Sequence, residues 1–104
     1  MTKQEMAVVM SQTFGRLNNL REEGQKEYAH DTDNAFANFE RLAADLKIDR
    51  KQILWVYLRK HLDGIVAYIN GHKSQRESIH GRIDDAHVYL ELLRGMIKEE
   101  ENIT

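Results

Sequence analysis

Apolar residues recur at helical spacing through four stretches of this chain. From Thr2 to about Tyr28 they fall at Met6, Val9, Met10, Leu17 and Leu20, with Thr13 on the same stripe. Lys3, Gln12, Arg16, Asn19 and Glu22 take the opposite face. So narrow a stripe suits packing on a partner helix, in the same chain or another. Thr2 followed by Glu5 fits a capping box. Gly15 and Gly24 each weaken a helix by about 1 kcal/mol relative to Ala, which makes Gly24 a candidate bend or point of close approach. His30-Asp31-Thr32-Asp33 reads as a short connection, with Asp31, Thr32 and Asp33 all competent to cap the next helix.

From Asn34 to about Leu46, Ala35, Phe36, Phe39, Leu42, Ala43 and Leu46 form a compact apolar face. Asp49 with Gln52 three residues on is a second capping signature. The third helix, Arg50 to about Asn70, carries one stripe of Leu54, Leu58, Leu62, Ile65 and Ile69. A second stripe of Ile53, Tyr57, Gly64 and Tyr68 runs beside it, widened by Trp55 and Val56. A helix apolar over so much of its circumference belongs at the centre of a bundle. Asn70-Gly71 stops it. After the polar loop His72–Glu77, a cap at Ser78 starts a fourth helix to about Glu100, with Ile83, Ala86, Leu90, Leu93 and Ile97 on one face. Tyr89, Leu92 and Met96 lie beside that face. No strand pattern, internal repeat or domain boundary is visible. Residues 1–104 are therefore expected to form a single all-α domain, a small helical bundle whose third and fourth helices make a long antiparallel hairpin.

Composition sharpens this picture in a few places. The chain has 104 residues, no proline and six glycines, which favours helices over a sheet fold with many turns. A domain of this length has a marginal core, and association would help it. Together with the apolar stripe Met6, Met10, Leu17 and Leu20, this predicts a homo-oligomer. The absence of cysteine removes disulfides, thiolate metal sites and thiol nucleophiles. No apolar run approaches the roughly 18 residues of a membrane span, and the start MTKQEMAVVM lacks signal-peptide features. A cytoplasmic protein is expected, with no membrane partner. The formal charge is −2, so no global basic field points to nucleic acid.

Three polar clusters carry the candidate chemistry. Lys26 to Phe39, KEYAHDTDNAFANF, is the densest. Glu27 and Asp31, like Asn34 and Asn38, are four apart and share a face wherever the helix continues through them. Asn38 is a poor helix former and a good hydrogen-bonding group. In the second cluster, Lys60 and Asp63 are neighbours on the third helix, whereas His61 lies on the apolar stripe. In the third, Arg82, Asp85 and Tyr89 share a face of the fourth helix, and Asp84 points toward the side of His87. A cation near a helix N-terminus is mildly unfavourable, so Arg82 needs a partner, either Asp85 or an outside anion. The plainer readings are caps for Asp31 and Asp33, a Lys60–Asp63 ion pair, a satisfied core histidine, and core positions for Tyr28, Phe36 and Phe39.

Taken together, the clusters supply the cations Lys26, Lys60 and Arg82 and the carboxylates Glu27, Asp31, Asp63 and Asp85. They add the amides Asn34 and Asn38 and the rings Tyr28, Phe39, His61 and Tyr89. Phosphates, ribose hydroxyls and a flat base with a polar edge would use this inventory. Arg82 and Lys60 are expected to meet phosphate, and Asn38 to read a polar edge. The same carboxylates, Glu27, Asp31, Asp63 and Asp85, are the one set that could hold magnesium. No phosphate loop, HExxH or serine elbow is present.

The order KEYxxDxxNxFxNFxxxA, WVYLxKHLDxI, SIxGRIDDAxxYLxLL resembles a group of small phage-encoded helical proteins, over about Gly24 to Glu99. That group is similar in pattern to the phage nucleotide-modification-associated domain family, which resembles the all-α nucleotide pyrophosphatases of the MazG type. The resemblance implies a nucleotide ligand and, through the pyrophosphatases, magnesium held by paired ExxE and ExxD carboxylates. This chain has Glu23 and Glu27 four apart, Asp84 beside Asp85, and no ExxD. Binding is thus expected to outlast hydrolysis. The chain is also similar in size, helicity and ligand inventory to phage proteins that sequester nucleotide signals of bacterial immune systems such as CBASS and Thoeris. The expectation is a phage binding protein that captures a cyclic-nucleotide or ADP-ribose-type signal without a cofactor, in the host cytosol. The alternative is a magnesium-dependent nucleotide hydrolase. A purely structural helical module would leave the buried polar residues without a use.

Overall fold

The computed structural model describes residues 1–28 and 33–101, Tyr28 by its backbone alone. Four helices account for most of them: α1 (Lys3–Tyr28), α2 (Ala37–Leu46), α3 (Arg50–Ile69) and α4 (Ile79–Glu100). No strand occurs among the described residues, so the all-α class holds. No helix among them is long and apolar enough to cross a membrane.

The caps explain where the helices begin. The Glu5 N–H donates to Thr2 Oγ1 at 3.1 Å, and the Gly81 N–H donates to Ser78 Oγ at 2.9 Å. At α3 both halves of the capping box form: the Lys51 N–H donates to Asp49 Oδ1 (2.7 Å) and the Asp49 N–H to Gln52 Oε1 (3.0 Å). The second helix begins later than the periodicity predicts, at Ala37 rather than Asn34. Asn34 instead closes a turn ahead of it, its Oδ1 accepting from the Phe36 N–H at 2.9 Å. Its amide also donates to Glu40 Oε1 at 3.0 Å. Local side-chain hydrogen bonding of this kind competes with the helical backbone, so Asn34 and Asn38 do not share a helix face. Asp33, an expected cap, is not the N-cap, a position that Phe36 holds with no side-chain cap bond; Asp31 and Thr32, the other expected caps, lie outside the described residues.

Gly24 is neither a bend nor a close approach. The helix continues through it, and nothing lies within 4 Å of where a Cβ would stand. At the end of α2, Lys47 adopts the left-handed conformation (φ 57°), and its N–H bonds the Ala43 carbonyl.

The core gathers at one end of the molecule. Phe36, Phe39, Ile53, Leu54 and Met96 are its buried centre, flanked by Leu42, Tyr89 and Leu93. Phe36 reaches Gly95, where a Cβ would stand 3.0 Å from the ring tip. The Arg50 guanidinium covers the same ring at 5.1 Å and donates to Glu99 Oε1 at 3.1 Å. Lys51 Nζ holds Glu100 at 2.8 Å. The start of α3 is thus fastened to the end of α4, while α2 packs on α3 and α1 lies against α4.

The predicted apolar faces are only partly covered. On α4 the buried positions are Ala86 and Met96, whereas Ile83, Leu90 and Ile97 are exposed. The buried arc is therefore rotated toward Tyr89 and Met96, the residues that meet Phe39 and the core. On α3, Trp55, Val56, Val66 and Ile69 face solvent in the single chain, as do Met6, Val9, Met10 and Phe14 on α1.

Candidate functional site

The second and third polar clusters meet where the C-terminal half of α3 lies beside the N-terminal half of α4. His61 projects from α3 into this contact and is 5% exposed. Its Nδ1 is 3.6 Å from Glu77 Oε2, and its Nε2 is 3.6 Å from Asp85 Oδ2. Both separations exceed hydrogen-bond length, and Nδ1 is buried with no hydrogen-bond partner. One face of the ring stacks on Tyr89, centroids 5.6 Å apart. Tyr89 in turn lies nearly parallel to Tyr57 (6.2 Å, 9°) and edge-on to Phe39 (6.2 Å, 80°). A continuous run of rings thus leads from the core to the histidine.

Glu77 stands at the centre of the charges. Lys60 Nζ is 3.7 Å from Oε1, and Arg82 is 4.0 Å from Oε2. Burial pushes the Asp85 carboxyl above the usual carboxylate range. His61 opposes that shift, and Glu77 and Asp84 add to it. Asp85 therefore lacks the strong cationic partner that a buried carboxylate ordinarily keeps.

Asp85, one of the two partners expected for Arg82, is not the one it takes. Its Nε donates to Gln75 Oε1 at 2.8 Å. Gln75 Nε2 then donates to the Gly64 carbonyl (2.8 Å) and the His72 carbonyl (2.9 Å). The guanidinium lies over Gly64, where a Cβ would stand 2.5 Å from it. Arg82 and Gln75 therefore fasten the 72–77 connection to α3 and set the position of Glu77. A side chain at position 64 would displace the guanidinium, which occupies that space.

The remaining predicted site residues are dispersed. Asp63 pairs with Arg59 (2.9 Å), not with Lys60, because a four-residue spacing on the exposed face brings those two together. Asp84 joins Arg16 of α1 at 3.3 Å. Phe39 is core, 2% exposed. Asn38 is half-buried in the first turn of α2, and Lys26 and Glu27 are exposed near the end of α1. The Tyr28 side chain and Asp31 lie outside the described residues. Of the four carboxylates expected to gather on magnesium, only Asp85 belongs to a cluster of metal-ligand type among the described residues, and its companions there are His61 and Glu77.

Glu77, Gln75 and Tyr57 are the site residues that sequence reasoning missed. The signal for Glu77 was its place directly before the Ser78 cap. Apart from this cluster, an open groove of about 460 Å³ runs between α1 and α4, lined by Phe14, Leu17, Arg21 and Val88 among others. Its lining does not include the His61 cluster. No family model, no curated protein and no solved structure matches this chain.

Proposed function

We propose that this chain binds a nucleotide-derived small molecule at the α3–α4 polar cluster. In this reading it is a phage counter-defence protein that sequesters a cyclic-nucleotide or ADP-ribose-type signal. One observation carries the reading. Two polar clusters about twenty residues apart in sequence converge on Glu77, beside a ring run that ends at the half-exposed Tyr57. Lys60, 64% exposed, is the cation free to turn toward phosphate. Glu77 and Asp85 can accept from ribose hydroxyls or an exocyclic amine, and the Tyr57 ring offers a base a flat apolar face. Arg82 serves the site by holding its wall, so the phosphate role passes to Lys60. The protein acts as a homo-oligomer, and α3 and α4 form an antiparallel hairpin, a reading supported by the Arg50–Glu99 pair at one end and the His61–Asp85 approach at the other.

The test pairs thermal shift with chromatography. A ligand at 100 times its dissociation constant adds roughly 2.7 kcal/mol of stability, so a panel of cyclic dinucleotides and ADP-ribose derivatives should contain a stabilising member. Lys60→Ala should weaken its binding roughly ten- to a hundredfold, the effect of losing a charge-assisted hydrogen bond. Ligand recovered intact after incubation with magnesium and denaturation supports sequestration. No stabilisation by any member, or full affinity in Lys60→Ala, rejects the site. A second reading, a metal-dependent nucleotide hydrolase, is favoured by the approach of His61, Glu77 and Asp85. Turnover in the same incubation would select it.

A further inference from the structure

The imidazole of His61 is held between two carboxylates in a way that neither neutral tautomer satisfies. A neutral imidazole carries one N–H and one bare lone pair. With Glu77 Oε2 at 3.6 Å from Nδ1 and Asp85 Oδ2 at 3.6 Å from Nε2, the bare nitrogen must face a carboxylate oxygen. Two acceptors then confront each other inside a buried contact. A proton or a cation on that side removes the conflict.

The distances favour the cation. An N–H···O bond to a carboxylate draws the heavy atoms to about 2.7–2.9 Å, and this contact stops well short of that. Two ligands of one cation, each bonded at about 2.0–2.2 Å, stand roughly 3–3.5 Å apart, close to the separation seen here. A ligand atom from each of His61, Glu77 and Asp85 lies within 4.8 Å of the other two, which keeps both carboxylates close to an ion at Nδ1. Independently, Nδ1 of the 5% exposed His61 is buried without a partner, the condition of a ligand nitrogen rather than of a packed core ring.

We propose that His61 Nδ1 and Glu77 bind a divalent transition-metal cation, with Asp85 accepting from the Nε2–H that this leaves and so fixing the imidazole. This goes beyond the nucleotide reading and stands without it. One imidazole and one carboxylate, completed by water, suit Zn²⁺ or Mn²⁺, whereas magnesium prefers oxygen ligands alone. Two carboxylates balance the ion's charge. On binding, Glu77 turns from Lys60, which lies 3.7 Å away and is mostly exposed, and that ammonium is left to water. Gln75 and Arg82 position the loop that carries Glu77 and so act on the site from behind the ligands.

The experiment uses the full chain stripped with a chelator and titrated with ZnCl2, MnCl2 or MgCl2 by calorimetry. One equivalent of zinc or manganese per chain is expected, with magnesium far weaker. Glu77→Gln and Asp85→Asn should each weaken binding by roughly tenfold or more, in the range typical of lost metal-site groups, with helical circular dichroism unchanged. Glu77 lies in a loop and is 41% exposed, so its variant keeps the fold even where a His61 substitution would not. Nitrogen NMR of the imidazoles should show zinc displacing the His61 Nδ1 resonance alone. Three outcomes overturn the site: no binding; binding indifferent to both substitutions, which moves the metal to other histidines; or a stripped protein in which His61 is a stable imidazolium at neutral pH and takes up no metal.

Discussion

Arg82 and Lys60 are both cations near Glu77, yet they sit in opposite circumstances. The Arg82 side chain is 13% exposed and hydrogen-bonded to Gln75; Lys60 is 64% exposed and 3.7 Å from its carboxylate. Removing a partly buried charged donor strands its acceptor, at about 1.5–3 kcal/mol. An exposed ion pair is worth about 0–1 kcal/mol. Arg82→Ala is therefore expected to lower urea-unfolding stability by about 1.5–3 kcal/mol, and Lys60→Ala by less than about 1 kcal/mol. Equal losses in the two variants would mean that the Gln75 clamp does not hold in solution. The difference could not be read from the sequence, because both residues are basic and each has a carboxylate three residues on. What separates them is Gly64, which leaves room for one guanidinium and is eighteen residues from it.

Among the elements, α3 shows how much was legible. Asp49 and Gln52 fix its start in the sequence as in the structure, and Thr2 and Ser78 do the same for α1 and α4. Start signals are local, so a sequence shows them. The face that each helix buries is not local. Ile83, Leu90 and Ile97 make as good a stripe as Tyr89 and Met96, and the placement of Phe36 and Phe39 decides for the latter. Glu77 was hidden for the same reason, since the loop HKSQRE has no period and gains its meaning from its bond to the Gly64 carbonyl of α3.

The Asp49 cap also carries a pH dependence. Its carboxyl is held below the usual value of 3.8 by the Lys51 backbone N–H and then by the Lys51 side chain. A carboxylate with a depressed pKa contributes stability that is complete above the unfolded value and lost as pH falls through the folded one. Asp49→Ala should thus lower the melting temperature at neutral pH, and the gap to the parent protein should close as the buffer is taken below 3.8. A gap that persists unchanged in strong acid would deny the carboxylate this role. At the C-terminal end of α2, Lys47 holds a positive φ, a conformation costing roughly 1–2 kcal/mol for a residue with a Cβ. Lys47→Gly is expected to raise the denaturation midpoint despite glycine's greater freedom when unfolded.

The whole molecule is extended for its length. Its radius of gyration is 15.4 Å, against about 13 Å for a compact chain of this size. The excess lies with α1, a 26-residue helix whose first half bears exposed Met6, Val8, Val9, Met10 and Phe14. Trp55, Val56 and Ile69 on α3 add further uncovered apolar surface. Patches of this kind mark interaction surfaces, and a second copy offers the same stripes in return. Light scattering should report a homo-oligomer at micromolar concentration; a stable monomer there would remove this proposal.

Such an α1 also changes what stability means for this protein. On the proposal that other copies cover the exposed first half of α1, that half melts at a temperature set by the protein's concentration. Dilution would act on it as a denaturant, and the oligomer would dissolve into loosened chains below a threshold of abundance. The amount of protein made would then decide whether the α1 arm is folded at all.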